Sequence, residues 1–181
     1  MKFRISTHLQ TKEVQLSLRR TEDIAEIFLC SLPDFPETEI VCDFQELDSF
    51  LKENGFDIYS SPVAAVILEE IKKEKISQAE QEKEKELSKN LFLKNIDSKP
   101  VYVRIDPKNN LFQSAILIKD GTRKWGCDYD GKIIFVDLNK EELIQLSSHY
   151  DLRKNQIYNL TDQKINQITL CSSLEEIFNL Q

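Results

Sequence analysis

KPVYVRIDPKNNLFQSAILIKDGTRKWGCDYDGKIIFVDL, from Lys99 to Leu138, is the stretch whose reading decides the fold. Four β-type runs are separated by three turn signals: Pro107-Lys108-Asn109-Asn110, Asp120-Gly121 and Asp130-Gly131. Val101, Val103 and Ile105 alternate with Tyr102, Arg104 and Asp106, the period of a strand with one face in and one face out. Asp-Gly between two such runs is a strong hairpin signal, because the favoured two-residue turns need left-handed backbone. An antiparallel meander is therefore expected. The runs around Ala115–Ile118 and Ile133–Val136 are apolar at successive positions. That predicts a sheet centre covered on both faces, in part by helices.

Toward the C-terminus, Asn139 reads as the cap of a helix over KEELIQLSSHY, with Glu141 and Glu142 at the positive end of its dipole. Residues 151–170 read as polar and irregular, with a short strand at Gln156–Leu160. Ser173 reads as the cap of a last short helix, LEEIFNL.

Toward the N-terminus, Leu91–Leu93 reads as a strand. Before it, Ser61-Pro62 opens a long helix that runs to about Lys89, since proline at the first helical position loses no hydrogen bond. Val63, Val66, Ile67, Leu68 and Ile71 form an apolar stripe, and from Glu69 onward charge takes over. Pairs such as Glu69–Lys73 and Glu86–Lys89 support the helix by a few tenths of a kcal/mol each. Two readings fit this helix: a solvated connector between two halves, or an arm that docks on a partner. Earlier still, Asp43 caps FQELDSFLKEN, and Gly55 is placed to end it in the left-handed conformation. Glu39–Cys42 is short and β-like. Pro33 and Pro36 interrupt the chain, and Thr21 reads as the cap of a helix from Glu22 to about Cys30, on the spacing of Ile24, Ile27 and Phe28. Lys2–Thr7 and Glu13–Arg19 alternate apolar and polar, as two strands would.

The expected fold class is thus α+β. A four-stranded antiparallel meander flanked by helices (99–181) is joined by a long charged helix (62–98) to a smaller acidic α+β region (1–61). At 181 residues, these segments suit one domain or two small ones.

Charge is unevenly spread. The net formal charge of -7 comes almost entirely from residues 1–61, with 6 Lys/Arg against 12 Asp/Glu. Residues 62–98 carry 7 against 8, and residues 99–181 carry 11 against 11. An acidic surface repels nucleic acid and anionic membranes at long range, so only the last segment is suited to an anionic partner. No apolar run approaches the roughly 20 residues of a membrane span. The opening MKFRISTHLQ lacks the continuous apolar core of a secretion signal, so the cytoplasm is the expected compartment. Cys30, Cys42, Cys127 and Cys171 form no closely spaced pair and read as reduced core residues.

No complete catalytic or ligand motif occurs. Gly121 and Gly126 have the spacing of a phosphate loop, but Cys127 and Asp128 follow where Lys and Ser/Thr are required. The two histidines, His8 and His149, have no nucleophile or metal ligand at motif spacing. Asp128-x-Asp130-Gly131 resembles part of a calcium loop, but aligning Gly131 with its turn glycine puts Gly126 at the first ligand and Asp137 where the bidentate Glu belongs, which leaves two of the three defining carboxylates weak or absent. No cofactor or resident metal is expected. Asp120 with Asp130 and Lys132 has the residue types of a metal-dependent nuclease, in which carboxylates hold Mg²⁺ and position water. The hairpin turn explains Asp130-Gly131 without catalysis.

The last candidate is a binding face. Tyr102 and Arg104 point away from Val101 and Val103, while Lys99, Lys108, Lys119, Arg123 and Lys124 gather at strand ends and turns. Basic residues with aromatics on a sheet are a common way to hold single-stranded RNA. In this register Trp125 points opposite to Lys124 and reads as core. The function expected from the sequence is a non-enzymatic cytoplasmic binding protein: an adaptor or accessory subunit of a larger assembly, protein or nucleoprotein. The partner protein would be met through helix 62–89. A small metal-dependent nuclease is one alternative. An RNA-binding subunit using the 99–132 face is the other.

Overall fold

The computed structural model describes residues 2–8, 10–19, 26–32, 35, 37–105, 118 and 121–180. The fold is α+β, with two four-stranded antiparallel sheets. The chain divides into two compact units, Met1–Lys75 with Ile168–Gln181, and Ile76–Gln167. Among the described residues, no helix is long and apolar enough to cross a membrane.

In the first unit, strands β1 (Lys2–Thr7), β2 (Val14–Arg19), β3 (Glu26–Leu32) and β4 (Glu39–Cys42) lie in the order β3-β2-β1-β4. Alternation sends Phe3, Ile5, Val14, Leu16 and Leu18 to one buried face. Helix α1 (Phe44–Glu53) covers that face with Phe44, Leu47 and Leu51, and the rings of Phe3 and Phe44 meet edge-to-face at 5.9 Å. A reciprocal cap starts α1. The Asp43 carboxylate accepts from the Glu46 N–H at 3.0 Å, and the Glu46 carboxylate accepts from the Asp43 N–H at 2.9 Å. Gly55 follows the helix at φ +77°, where a side chain would be strained. Ile67, Leu68 and Ile71, on the first half of helix α2 (Val63–Leu87), are buried.

The expected helix at Glu22–Cys30 is corrected. Glu26–Leu32 is a strand paired with β2, and residues 21–25 lie outside the described residues. Ile27, Phe28 and Leu29 favour a pleated surface, and the outer edge of β2 needs backbone partners that a helix cannot supply. Three apolar residues at helical spacing are too few to outweigh that.

In the second unit, β5 (Leu91–Ile96), β6 (Lys99–Val103), β7 (Thr122–Tyr129) and β8 (Lys132–Asn139) pair consecutively as a meander. Two of its turns are two-residue loops with left-handed backbone at both positions: Asp97-Ser98 at φ +48° and +63°, and Asp130-Gly131 at φ +50° and +74°. Leu91–Ile96 supplies the fourth strand. The run Ala115–Ile118, expected to be one, lies outside the described residues but for Ile118, and β6 pairs directly with β7.

Helix α3 (Lys140–Leu170) begins where β8 ends. Asn139 and Glu142 close another reciprocal cap, each accepting from the other's N–H at 2.9 Å. Leu143 and Leu146 pack into a core made by Leu91, Val101, Val103, Trp125, Cys127 and Leu138. The expected irregular segment 151–170, with its strand at Gln156–Leu160, is corrected: the helix continues unbroken to Leu170. No Gly or Pro follows Gly131, so nothing in this segment breaks a helix. Its inward positions (Tyr150, Arg153, Ile157, Thr161) keep helical spacing, but half of them are polar, which hides the stripe.

The later turns of α2 run antiparallel to α3 in this unit. Lys164 pairs with Glu82 at 2.7 Å, and the Lys83 ammonium lies over the Tyr158 ring at 5.4 Å. The Arg153 guanidinium donates to the carbonyls of Leu87 at 3.2 Å, Lys89 at 2.5 Å and Asn90 at 3.4 Å. It thereby satisfies carbonyls that the end of a helix leaves open.

Trp125 is the single tryptophan and lies in the second unit's core, so its fluorescence reports on that unit. Leu143→Ala is expected to cost about 2–4 kcal/mol in urea unfolding followed at Trp125. Leu152→Ala, at a 60 % exposed position, is expected to change stability by less than about 0.5 kcal/mol. In the first unit, helix α4 (Leu174–Asn179) carries Glu176, whose carboxylate accepts from the Ser172 N–H at 2.6 Å and hydroxyl at 3.0 Å. These bonds hold its pKa below the ordinary glutamate value. The charged form is the bonded one. Its stabilisation is present above the ordinary value and lost as pH falls below about 4. Glu176→Gln is expected to flatten the acid side of the stability profile measured by circular dichroism.

Candidate functional site on the outer face of the second sheet

The inner face of the second sheet is closed by α3, and among the described residues no element packs on its other face. The expectation of cover on both sides of Ile133–Val136 is therefore corrected. Ile134 and Val136 pack toward the core, whereas Ile133 is 57 % and Phe135 72 % exposed.

Strand register assembles the outer face. Phe92 stands opposite Tyr102, Tyr102 opposite Asp128, and Asp128 opposite Ile133, one row across all four strands. The Phe92 and Tyr102 rings meet edge-to-face at 6.1 Å, and both are largely exposed. In the next row Phe135 faces Gly126, and the Arg104 N–H donates to the Gly126 carbonyl at 3.2 Å. A Cβ at Gly126 would meet nothing within 4 Å, so the glycine floors a shallow notch between Arg104 and Phe135. In the last row Lys124 stands opposite Asp137.

The face is close to neutral. Arg104 lies 3.7 Å from the Asp128 carboxylate, which also accepts from the Asn90 amide. At the β7–β8 turn, Lys99 pairs with Asp130 at 2.6 Å. What remains exposed is mainly apolar and aromatic: Phe92, Tyr102, Ile133 and Phe135. Patches of this kind on a folded chain mark interaction surfaces.

Of the residues read as nucleic-acid contacts, Tyr102, Arg104 and Lys124 share this face. Arg123 does not. It stands opposite the buried Leu138 and lies over the Trp125 ring at 5.7 Å, on the inner side. Lys108 and Lys119 lie outside the described residues, as does Asp120 of the nuclease set. Asp130 occupies the tight turn and is ion-paired to Lys99, with Lys132 beginning the next strand. Among the described residues, no group of three or more His, Cys, Asp or Glu could hold a metal ion. Burial pushes the thiols of Cys30, Cys42 and Cys127 up, away from the reactive thiolate. Alternation in the sequence found Tyr102, Arg104 and Lys124. It missed Phe92, Ile133 and Phe135, because apolar residues on both sides of a strand read as buried on both.

The first unit holds a cleft of about 460 Å³ lined by residues that include Arg4, His8, Gln15 and Glu39. Its arginine is ion-paired to Glu39 at 2.8 Å. Comparison with protein families, with curated proteins and with solved structures finds no match to this chain.

A turn and a metal ligand respond differently to substitution. Asp130→Asn keeps a residue that tolerates the left-handed backbone, so stability is expected to stay within about 0.5 kcal/mol of the parent. Gly131→Ala places a side chain at positive φ and is expected to cost about 1–2 kcal/mol in the same Trp125-monitored unfolding.

Proposed function

We propose that the chain works by binding, as an adaptor or accessory subunit that presents the outer face of the second sheet to a protein partner. The observation that carries this reading is the exposed apolar and aromatic side chains of this face, Phe92 and Tyr102 on β5 and β6 and Ile133 and Phe135 on β8, with the neutralised Arg104–Asp128 pair between them. Interface cores are enriched in aromatics and poor in unpaired charge, which fits these positions. The partner it fits is a folded surface with an apolar centre and no strong charge. Helix 62–89 is a weaker place for it, since Ile67, Leu68, Ile71 and Ala79 are already buried.

The exposed Phe92–Tyr102 pair beside Arg104 gives RNA the second place. Stacking on such rings is worth about 1–3 kcal/mol per base. Tracking phosphates needs unpaired cations as well, and here Arg104 and Lys124 each have an acidic neighbour.

Phe92→Ser with Tyr102→Ser is expected to lower retention of the partner at least tenfold in quantitative pull-downs from the native host, with little dependence on salt. Retention unchanged by that pair would remove the face from the reading. Retention of RNA that weakens with salt and is lost in Arg104→Ala/Lys124→Ala would overturn the protein partner in favour of nucleic acid.

A further inference from the structure

We propose that β8 is a pairing edge for a second copy of the chain, so that two second-unit sheets join across a two-fold axis into one sheet of about eight strands. This uses the backbone edge of the sheet, where the binding reading above uses its face; Ile133 and Phe135 belong to both, and the protection of the backbone amides tells the two apart.

Among the described residues the two sheets present four edge strands, β3, β4, β5 and β8. Unpaired edges invite association, and folded proteins blunt them with short length, bulges, proline or charge. β4 has only 4 residues. The pairing of β3 with β2 shifts register between Leu16 and Ser17. The pairing of β5 with β6 shifts between Phe92 and Lys94, and β5 carries that lysine. β8 has neither short length, bulge nor proline, and its two charges, Lys132 and Asp137, stand toward its ends and leave residues 133–136 unguarded. It is 8 residues long, contains no proline, and keeps unbroken register with β7 from Thr122↔Asn139 to Tyr129↔Lys132.

The tight turn decides which backbone groups face outward. A two-residue loop closes on a hydrogen-bonded pair, here Tyr129 and Lys132. Alternation along an antiparallel ladder then turns the N–H and C=O groups of Ile133, Phe135 and Asp137 away from β7. Another strand satisfies all three residues at once.

Charge order points to a copy of the same strand. β8 is basic at its start, Lys132, acidic toward its end, Asp137, and apolar between. Laid antiparallel on itself, the basic end of each strand meets the acidic end of the other. With the axis at Ile134, Ile133 of each copy stands opposite Phe135 of the other. Asp137 then stands opposite Gly131 and one position from Lys132 of the second copy, on the other face of the sheet, so the opposite charges attract across the strand ends without forming an ion pair. Aromatic and β-branched residues are favourable cross-strand neighbours.

Light scattering of the full chain at rising concentration, together with amide hydrogen exchange, tests this. The mass is expected to double. The amides of Ile133, Phe135 and Asp137 are expected to gain protection over the same concentration range, while those of Ile134 and Val136 stay protected throughout. Ile133→Lys with Phe135→Lys, at two exposed positions, is expected to raise the dimerisation midpoint at least tenfold while the Trp125 emission stays that of the folded parent. A chain that stays monomeric at every concentration overturns the pairing. So does a dimer whose three outward amides exchange as in the monomer, or a double-lysine variant that dimerises like the parent. Protection of those amides that appears only with a different protein also overturns the second copy, and assigns the edge to an unlike strand. The Phe92/Tyr102 variant leaves β8 intact, so failure of the face and failure of the edge are read separately.

Discussion

Leu143 and Leu146 seat α3 on the inner face of the second sheet, and most of the second unit's chemistry follows from that contact. It closes a core around Val101, Val103, Trp125, Cys127 and Leu138. In a two-layer arrangement the sheet's other face is ordinarily polar. Here four of its exposed positions are Phe, Tyr, Ile and Phe. Fully burying one such side chain contributes about 1.5–3 kcal/mol, a gain that water does not provide. The residues raise strand propensity, which explains part of their presence on β8. It does not explain an aromatic pair standing side by side on β5 and β6.

Arg153 extends the same logic to α2. Many helices end on glycine, but Ser88-Lys89-Asn90 holds none. The carbonyls at the end of α2 are satisfied instead by a guanidinium from α3, which also lies 5.6 Å from the Tyr150 ring centre. One planar cation thus ties the end of α2 to the helix that holds the sheet. Removing it would leave several carbonyls open at once, a larger loss than one surface ion pair.

The legible parts of this fold are those with local chemistry. Asp43 with Glu46, Gly55, Asn139 with Glu142 and Asp130-Gly131 each announce a cap or a turn, because the residue types answer a backbone need within four positions. The Asp97-Ser98 turn has the same left-handed geometry but no glycine, so Leu91–Ile96 reads only in part as a strand. The length of α3 is hidden because Arg153 and Thr161 take inward positions normally held by apolar residues. β3 is hidden because strand partners are nonlocal. For the candidate site, alternation reveals which residues of one strand share a face. It carries no information on how many layers cover the sheet, and so Ile133 and Phe135 read as core.

Among the described residues β8 has no strand on its outer side, and its sequence shows why that edge is little guarded. A bulge would guard it, but one extra residue would reverse the parity of every later side chain and turn Val136 and Leu138 out of the core. A charge at Ile134 or Val136 would face α3 and disrupt the packing there. Proline at 134 or 136 would remove a hydrogen bond to β7. The positions where a guard costs the fold nothing are 133, 135 and 137, whose side chains are exposed and whose backbone groups point outward. Asp137 guards the end of the strand, but 133 and 135 are occupied by large apolar residues. The inner face constrains what β8 can be, and two of the three positions it leaves free are filled with residues that favour contact over solubility.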